Sequence, residues 1–430
     1  MQGSVRRSLA PGVRPREVWA WAMYDFANSG YTTVVTTAVF AAYFVSEVAG
    51  RAPWATFAWT MALGVSSALI MITAPLVGAY ADAHAAKKRL LLITTAGCVV
   101  FTAGLALVGT GDLALGIALI ILSNYFFGSG ENLIAAFLPE LATAEGMGRV
   151  SGWGWSLGYF GGLVSLGASL AYVAHAQAQG ASASQFVPGT MLITAGFFAL
   201  ASLPTFLFLR ERAQPVAGTA DVLKSAFGRL ADTLGHAQRH ADLWRFLVCV
   251  VFYQAGIMTV VALAAVYAQE AMGFTTRDTL VLILLVNITA AVGAFAFGQI
   301  QDRIGHVKTL VLTLIGWLIA VVLAYLAESV ALFWVVANIV GLCLGASQSA
   351  GRALVAYLSP PARTAEFFGL WGLAVKLSAI LGPMTYGAVS WMTGGDHRLA
   401  MLSTGVFFVI GLGILGSLDV ARGRRAAVAG

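Results

Sequence analysis

The chain has 430 residues, of which 59% are hydrophobic and only 10% are charged, with a formal net charge of +6. Soluble domains carry about 25% charged residues, so this composition excludes a water-soluble globular protein and requires a lipid bilayer. The mean hydropathy of +0.82 agrees with that conclusion.

Apolar stretches of about 20 residues predict twelve transmembrane helices. Their approximate bounds are 19–46, 55–80, 90–109, 113–138, 151–174, 189–209, 244–269, 279–301, 309–327, 330–357, 367–392 and 399–418. The basic start of the chain has no cleavage site of small residues, so the first helix is expected to be retained and not to be a signal peptide.

The longest connection divides the twelve spans into two sets of six. The predicted organisation is an N-terminal segment 1–18, a first bundle 19–209, a linker 210–243, a second bundle 244–418 and a tail 419–430. Apolar residues at helical spacing in 222–234 predict an amphipathic linker helix on the membrane surface, which we interpret as a tether.

Lys and Arg residues concentrate on alternate connections. If both termini are cytoplasmic, the outer loops hold only Arg51, Arg277 and Arg398. This asymmetry is what the positive-inside rule requires, so we expect a multi-pass membrane protein with both termini in the cytoplasm. The positive net charge therefore reflects basic residues on the loops that are expected to be cytoplasmic. No nucleic-acid partner is expected.

A motif occurs at the end of the second span, in 78–88, and again at the end of the eighth, in 298–308. Each copy has a Gly four residues before an Asp, Asp82 or Asp302, and then a turn and basic residues. A repeat on this scale predicts two homologous halves, as in many transporters.

Both copies resemble the loop between the second and third helices of the major facilitator superfamily and its counterpart between helices eight and nine. The second copy keeps Arg303 of the family pattern, whereas the first has Ala85 where the family has Gly. The resemblance implies an all-α membrane protein with twelve transmembrane helices in two pseudo-symmetric six-helix bundles. The residues expected to act as a gate are Gly78, Asp82, Gly298, Asp302 and Arg303, and a carboxylate there can bind the N-terminus of a neighbouring helix.

Four ionisable residues lie well inside predicted spans: Asp25, Glu131, Arg352 and Lys376. At about 1.5 Å per residue, each lies roughly 9–13 Å from the cytoplasmic end of its helix. Charged groups facing lipid are costly, so all four are expected to face the bundle interior. Two acids and two bases at one depth predict a site for substrate or protons.

Glu131 and Arg352 occupy equivalent positions in the two halves. They could form a permanent salt bridge or hold the two ends of a zwitterionic substrate. Asp25 could bind a proton or substrate, or be a buried structural carboxylate. Further candidates for substrate or proton binding are Tyr24, Asn28, Asn132, Tyr253, Gln254, Gln348 and Lys376.

The fifth span carries a glycine-rich segment, 154–162, that looks like an exporter motif of the superfamily, but Tyr159 stands where the motif has Pro. Close helix packing is therefore the preferred interpretation. Cys98, Cys249 and Cys343 lie in different spans, so neither a disulfide nor a metal site is expected. No nucleotide-binding loop or nucleophile beside a base is recognisable, so we expect no cofactor, no ATP and no enzyme activity.

The segments 21–29, 137–141, 150–159 and 366–370 resemble the superfamily branch that includes vacuolar amino-acid effluxers linked to autophagy and bacterial permeases. The resemblance implies a secondary transporter that moves a small polar solute, such as an amino acid, by alternating access. Protons are the candidate coupling ion, and the expected setting is a lipid-embedded monomer in a bacterial inner membrane. The alternatives are a drug or metabolite proton antiporter and a membrane sensor that does not transport.

Overall fold

The structure is a computed structural model that describes residues 8–50, 52, 54–214, 240–274 and 276–429. Within these ranges, twelve helices are long and apolar enough to cross a membrane, as the sequence predicts. They are α1 (Pro15–Val48), α2 (Ala55–His84), α3 (Lys87–Gly104), α4 (Leu113–Ala135), α5 (Met147–Ala178), α6 (Ala183–Phe208), α7 (Ala241–Met272), α8 (Thr276–Ile304), α9 (His306–Leu326), α10 (Val330–Leu358), α11 (Thr364–Met392) and α12 (His397–Gly416). The predicted linker helix in 222–234 lies outside the described residues.

Large apolar side chains such as Ile72, Leu200 and Leu207 point outward from the bundle, whereas Ser, Thr and Gly side chains are buried between helices. This distribution suits lipid, because a helix satisfies its own backbone hydrogen bonds while small residues allow neighbouring helices to approach closely.

Helices α1–α6 and α7–α12 form two halves with the same internal packing. Helix α1 packs against α5 and α6, as α7 packs against α11 and α12. Helix α4 packs against α2 and α3, as α10 packs against α8 and α9. Across the halves, α2 packs against α11 and α8 packs against α5, which is again a symmetric arrangement. The predicted pseudo-symmetry of two six-helix bundles is confirmed.

Two glycines permit the close crossings between the halves. A Cβ atom added to Gly298 of α8 would lie 2.7 Å from the carbonyl oxygen of Gly148 and 3.1 Å from the Cα of Gly152, both on α5. A Cβ on Gly78 of α2 would lie 2.8 Å from the Cα of Glu366 on α11. Backbones this close leave no room for any side chain.

The crossings lie near the face of the bundle that carries the first and last described segments, which we call the termini face. On this face, Glu17 at the start of α1 pairs with Arg212 after α6, at 2.8 Å. A short amphipathic helix, α13 (Val420–Ala429), docks there, and its Arg422 pairs with Asp242 at the start of α7, at 2.7 Å.

Candidate functional site

A buried ion pair joins the two halves between α1 and α10. Asp25 lies in the regular α-helical part of α1, Pro15–Gly30, and Arg352 lies on α10. The Arg352 Nη1 atom donates to Asp25 Oδ2 at 2.7 Å. The two residues are only 3% and 8% exposed, respectively. A charge-assisted bond of this length satisfies both groups away from lipid.

The remaining contacts of the Arg352 guanidinium also come from the other half. Its Nη2 donates to the Ser151 carbonyl oxygen at 2.9 Å and its Nε to Ser151 Oγ at 3.2 Å. The guanidinium carbon lies 4.8 Å from the ring centroid of Trp21 and 5.2 Å from that of Trp155. We call Asp25, Trp21, Ser151 and Trp155 the Arg352 socket. Every one of these partners belongs to the N-terminal half.

Glycines of α5 make the space for this ion pair. A Cβ on Gly154 would lie 2.5 Å from both Arg352 Nη2 and Asp25 Oδ2. A Cβ on Gly158 would lie 3.1 Å from Ser29 Oγ on α1. The prediction that the glycine-rich segment of the fifth span serves close helix packing is confirmed.

The other two central charges, Glu131 and Lys376, do not form a salt bridge with each other. Glu131 of α4 and Lys376 of α11 are both half-buried, and they belong to opposite halves. Lys376 reaches α4, because a Cβ on Gly128 would lie 3.5 Å from its Cε atom. In the described part of the chain, neither Glu131 nor Lys376 forms an ion pair within 4.0 Å.

The direct Glu131–Arg352 salt bridge, one of the two sequence-based alternatives, is not formed. Arg352 turns toward α1 and α5 instead, where a carboxylate, a carbonyl oxygen and two aromatic faces are available. Equivalent positions on α4 and α10 share a depth, but depth alone does not determine the helix that a side chain faces.

The two predicted tyrosines are buried within their own halves. Tyr24 shares a 3.0 Å hydrogen bond with Thr95 of α3, and a Cβ on Gly130 would lie 2.5 Å from the Tyr24 hydroxyl. Tyr253 of α7 packs its hydroxyl against Gly351 of α10 in the same manner. These repeated contacts hold α1 to α4 and α7 to α10.

The predicted amides lie in different parts of the bundle. Gln254, which occupies the position of Asp25 in the second half, donates to Gln348 Oε1 at 2.8 Å, within that half. Asn28 is buried one turn after Asp25. Asn132 of α4 lies at the interface, because a Cβ on Gly372 of α11 would lie 2.6 Å from its Cγ atom.

The two motif aspartates each bind the N-terminus of a helix in the opposite half. Asp82 Oδ2 accepts a bond from the Glu366 N–H in the first turn of α11, at 2.9 Å. Asp302 Oδ1 accepts from the N–H groups of Gly148 and Arg149 at the start of α5, at 3.0 and 3.2 Å. The helix dipole and the free N–H groups favour a carboxylate at these ends. Because both contacts cross the halves, this structure is closed at the termini face.

The cations beside these aspartates differ between the copies. Lys87, only 1% exposed, lies 3.8 Å from Asp82, donates to Thr364 Oγ1 of α11 at 3.2 Å and pairs closely with Glu140. Asp302 instead faces Arg149 of α5, at 3.6 Å. Arg303, which the motif predicts as a gate residue, has an exposed side chain.

Sequence reasoning missed the neutral residues of the Arg352 socket. Trp21, Ser151 and Trp155 lie in segments that were singled out only for their resemblance to a family. An indole face attracts a cation, so tryptophans inside predicted spans are candidate partners for a buried arginine. Choosing among them requires knowing that α1, α5 and α10 meet.

A family model described as "Vacuole effluxer Atg22 like" matches residues 55–428. The chain belongs to this family. An "Uncharacterized MFS-type transporter YxiO" of Bacillus subtilis is 27% identical over 92% of this chain and 93% of its own length. An "Autophagy-related protein 22" of Cryptococcus neoformans is 27% identical over 65% of this chain and 54% of its own length.

Solved structures agree on the fold of this family member. The human organic anion transporter MFSD10 superimposes with a TM-score of 0.71 at 15% identity, covering 94% of this chain and all of the other. A bacterial homologue of ferroportin gives 0.69 at 14% identity, covering 94% and 98%. These relatives and folds identify a transporter of the major facilitator superfamily, as its sequence resemblance implies.

Proposed function

We propose that this chain is a secondary transporter for a small zwitterionic solute of the amino-acid type, which it moves by alternating access. Two halves that meet around a central layer of charges are the usual frame for such a mechanism. The family description as vacuole effluxers supports a solute carrier, and the zwitterion is argued from the central side chains.

The observation that carries the proposal is that Glu131 and Lys376 have opposite charges and lie in opposite halves but form no salt bridge. Glu131 offers a carboxylate from the N-terminal half, and Lys376 offers an ammonium group from the C-terminal half. A solute ammonium bound by Glu131 and a solute carboxylate bound by Lys376 would compensate both charges. The same bonds would draw the halves together, so binding and closure would be coupled.

The orientation and the setting of the protein are argued from charge. The positive-inside rule favours a cytoplasmic termini face in a bacterial inner membrane. We take protons as the coupling ion, with Asp25 and Glu131 as the carboxylates within the central layer that can carry them.

The test is solute-induced thermal stabilisation and counterflow with purified protein, using amino acids, sugars, dicarboxylates and hydrophobic cations. Zwitterions are expected to raise the Tm of the native protein, and Glu131→Gln and Lys376→Gln are each expected to abolish this rise. Lys308→Gln, which neutralises an exposed cation at the start of α9, is the matched control and should behave as native. Stabilisation by sugars, dicarboxylates or hydrophobic cations, but not by zwitterions, would contradict the proposal.

A further inference from the structure

We propose that Arg352 is a central gating residue, called the bolt below. It closes the transport pathway toward the termini face by binding the Arg352 socket of the opposite half. This inference rests on the proposed function only for its role in transport, because the contacts themselves require no solute. In addition to the proton-carrying role proposed for Asp25, it gives Asp25 and Arg352 a role in gating, and it gives no gating role to Glu131 and Lys376.

The first argument is the direction of the contacts. Arg352 belongs to the C-terminal half, yet its three side-chain nitrogens donate to Asp25 and Ser151 of the N-terminal half. Trp21 and Trp155 of the same half lie within 5.2 Å of the guanidinium carbon. Separation of α10 from α1 and α5 would therefore break all of these contacts at once. A residue that binds substrate would instead keep donors available.

The second argument is continuity with the Asp302 contact. Asp302 of α8 binds the N–H groups at the start of α5, and Ser151 lies within one turn of them. Ser151 also donates its hydroxyl to the Ser349 carbonyl oxygen of α10, at 2.8 Å. The first two turns of α5 are thus held by α8 and by α10, and the two attachments must release together.

The third argument is that the bolt exists once in a repeated fold. Exchange of the halves converts the Asp25–Arg352 pair into a pair of Gln254 and Glu131. Gln254 is neutral and bonds to Gln348 within its own half, so this second contact is not an ion pair. Because the halves are related by an axis along the membrane normal, both positions lie on the same side of the bundle, and only the Asp25–Arg352 position closes that side with an ion pair. The solute-free protein is therefore expected to rest closed at the termini face.

The test measures the distance between the halves in the full-length, solute-free protein. Spin labels at Arg89→Cys and Arg303→Cys report it, because both positions are exposed near the termini face and lie in different halves. The native Cys98, Cys249 and Cys343 are buried. The otherwise native protein should show one predominant short distance.

Arg352→Gln should raise the ratio of long to short distances by about tenfold or more, because the bolt is lost. Gly154→Ala keeps every charge but places a methyl group against both members of the ion pair, and it should shift the ratio in the same direction. If Arg352→Gln does not fold, Gly154→Ala tests the proposal by itself. Gly167→Ala, on the same helix as Gly154 but with nothing within 4 Å of an added Cβ, is the matched control and should leave the ratio unchanged.

An unchanged ratio in Arg352→Gln and Gly154→Ala would overturn the bolt, and so would an equally large shift in Gly167→Ala. Because no solute is added, failure of the zwitterion proposal leaves this result unaffected. Conversely, a protein that binds zwitterions but keeps its short distance in both variants would refute the bolt alone.

Discussion

At the scale of single residues, the central layer contains two acid–base pairs with different chemistry. Asp25 and Arg352 are buried and in contact, so each neutralises the other. Glu131 and Lys376 are half-buried and remain apart. The Asp25–Arg352 ion pair can therefore hold the halves together. Glu131 and Lys376, which are not paired, can accept a ligand.

Neutralising one member of the closed pair should destabilise the protein more than neutralising both. Asp25→Asn or Arg352→Gln leaves one uncompensated buried charge, at a cost of about 3–5 kcal/mol. The double variant removes both charges, so its cost should be smaller than the sum of the single costs. A double-mutant cycle from unfolding in detergent measures the coupling. Additive single effects would show that the two side chains do not act as a pair.

At the scale of elements, the backbone crossings of α2 with α11 and of α5 with α8 bring the motif aspartates to their helix N-termini. Gly78 and Gly298 decide how near the helices come, because an added Cβ would meet backbone and not a flexible side chain. Asp82 and Asp302 then complete the closure by binding free N–H groups.

Gly78→Ala should weaken closure at the termini face, since its methyl group would meet the backbone at Ala365 and Glu366. Gly64→Ala is a matched control on the same helix, because nothing lies within 4 Å of a Cβ at that position. The spin labels at positions 89 and 303 provide the measurement. A longer distance is expected for Gly78→Ala only, and equal behaviour of the two variants would contradict the role of the crossing.

The sequence was sufficient to predict the number and order of spans, because a lipid core demands long apolar helices. It also predicted that Asp82 and Asp302 can bind the N-terminus of a neighbouring helix, because each lies at the end of a span. The partner of Arg352 could not be derived in this way. Helical rise gives depth from residue number, but the choice between Asp25 and Glu131 depends on helix rotation and packing. The burial of Tyr24 and Tyr253 within their own halves also depends on helix rotation and packing, so it could not be derived from the sequence either.

At the scale of the whole molecule, each half has its own internal contacts and the two meet through a limited set of helices. Only 215–239 separates the described parts of the two halves along the chain. Before it, Glu211 binds the N–H groups of Lys87 and Lys88 at 2.7 and 3.0 Å, which fixes the end of the first half to its own bundle.

Two separately expressed pieces, residues 1–214 and 240–430, should therefore assemble when they are produced together. The crossings and the Asp25–Arg352 pair join one piece to the other, and all of their residues belong to the two pieces. Copurification through a tag on one piece measures assembly, and Arg352→Gln in the second piece should reduce the yield. Recovery of the tagged piece alone would show that the linker is needed for association.

The neutral Gln254 in the place of Asp25 has a consequence for how such a protein diverges after duplication of an ancestral half. Exchange of the halves maps each side of the membrane onto itself, so two identical halves with a carboxylate and an arginine at these positions would place two equal ion pairs on the same face. A change of one carboxylate to an amide in one copy leaves the fold intact but removes one of those pairs, which weakens closure at that face. The balance between the alternating states can thus be shifted by point substitutions at a few matched positions while every helix stays where it is.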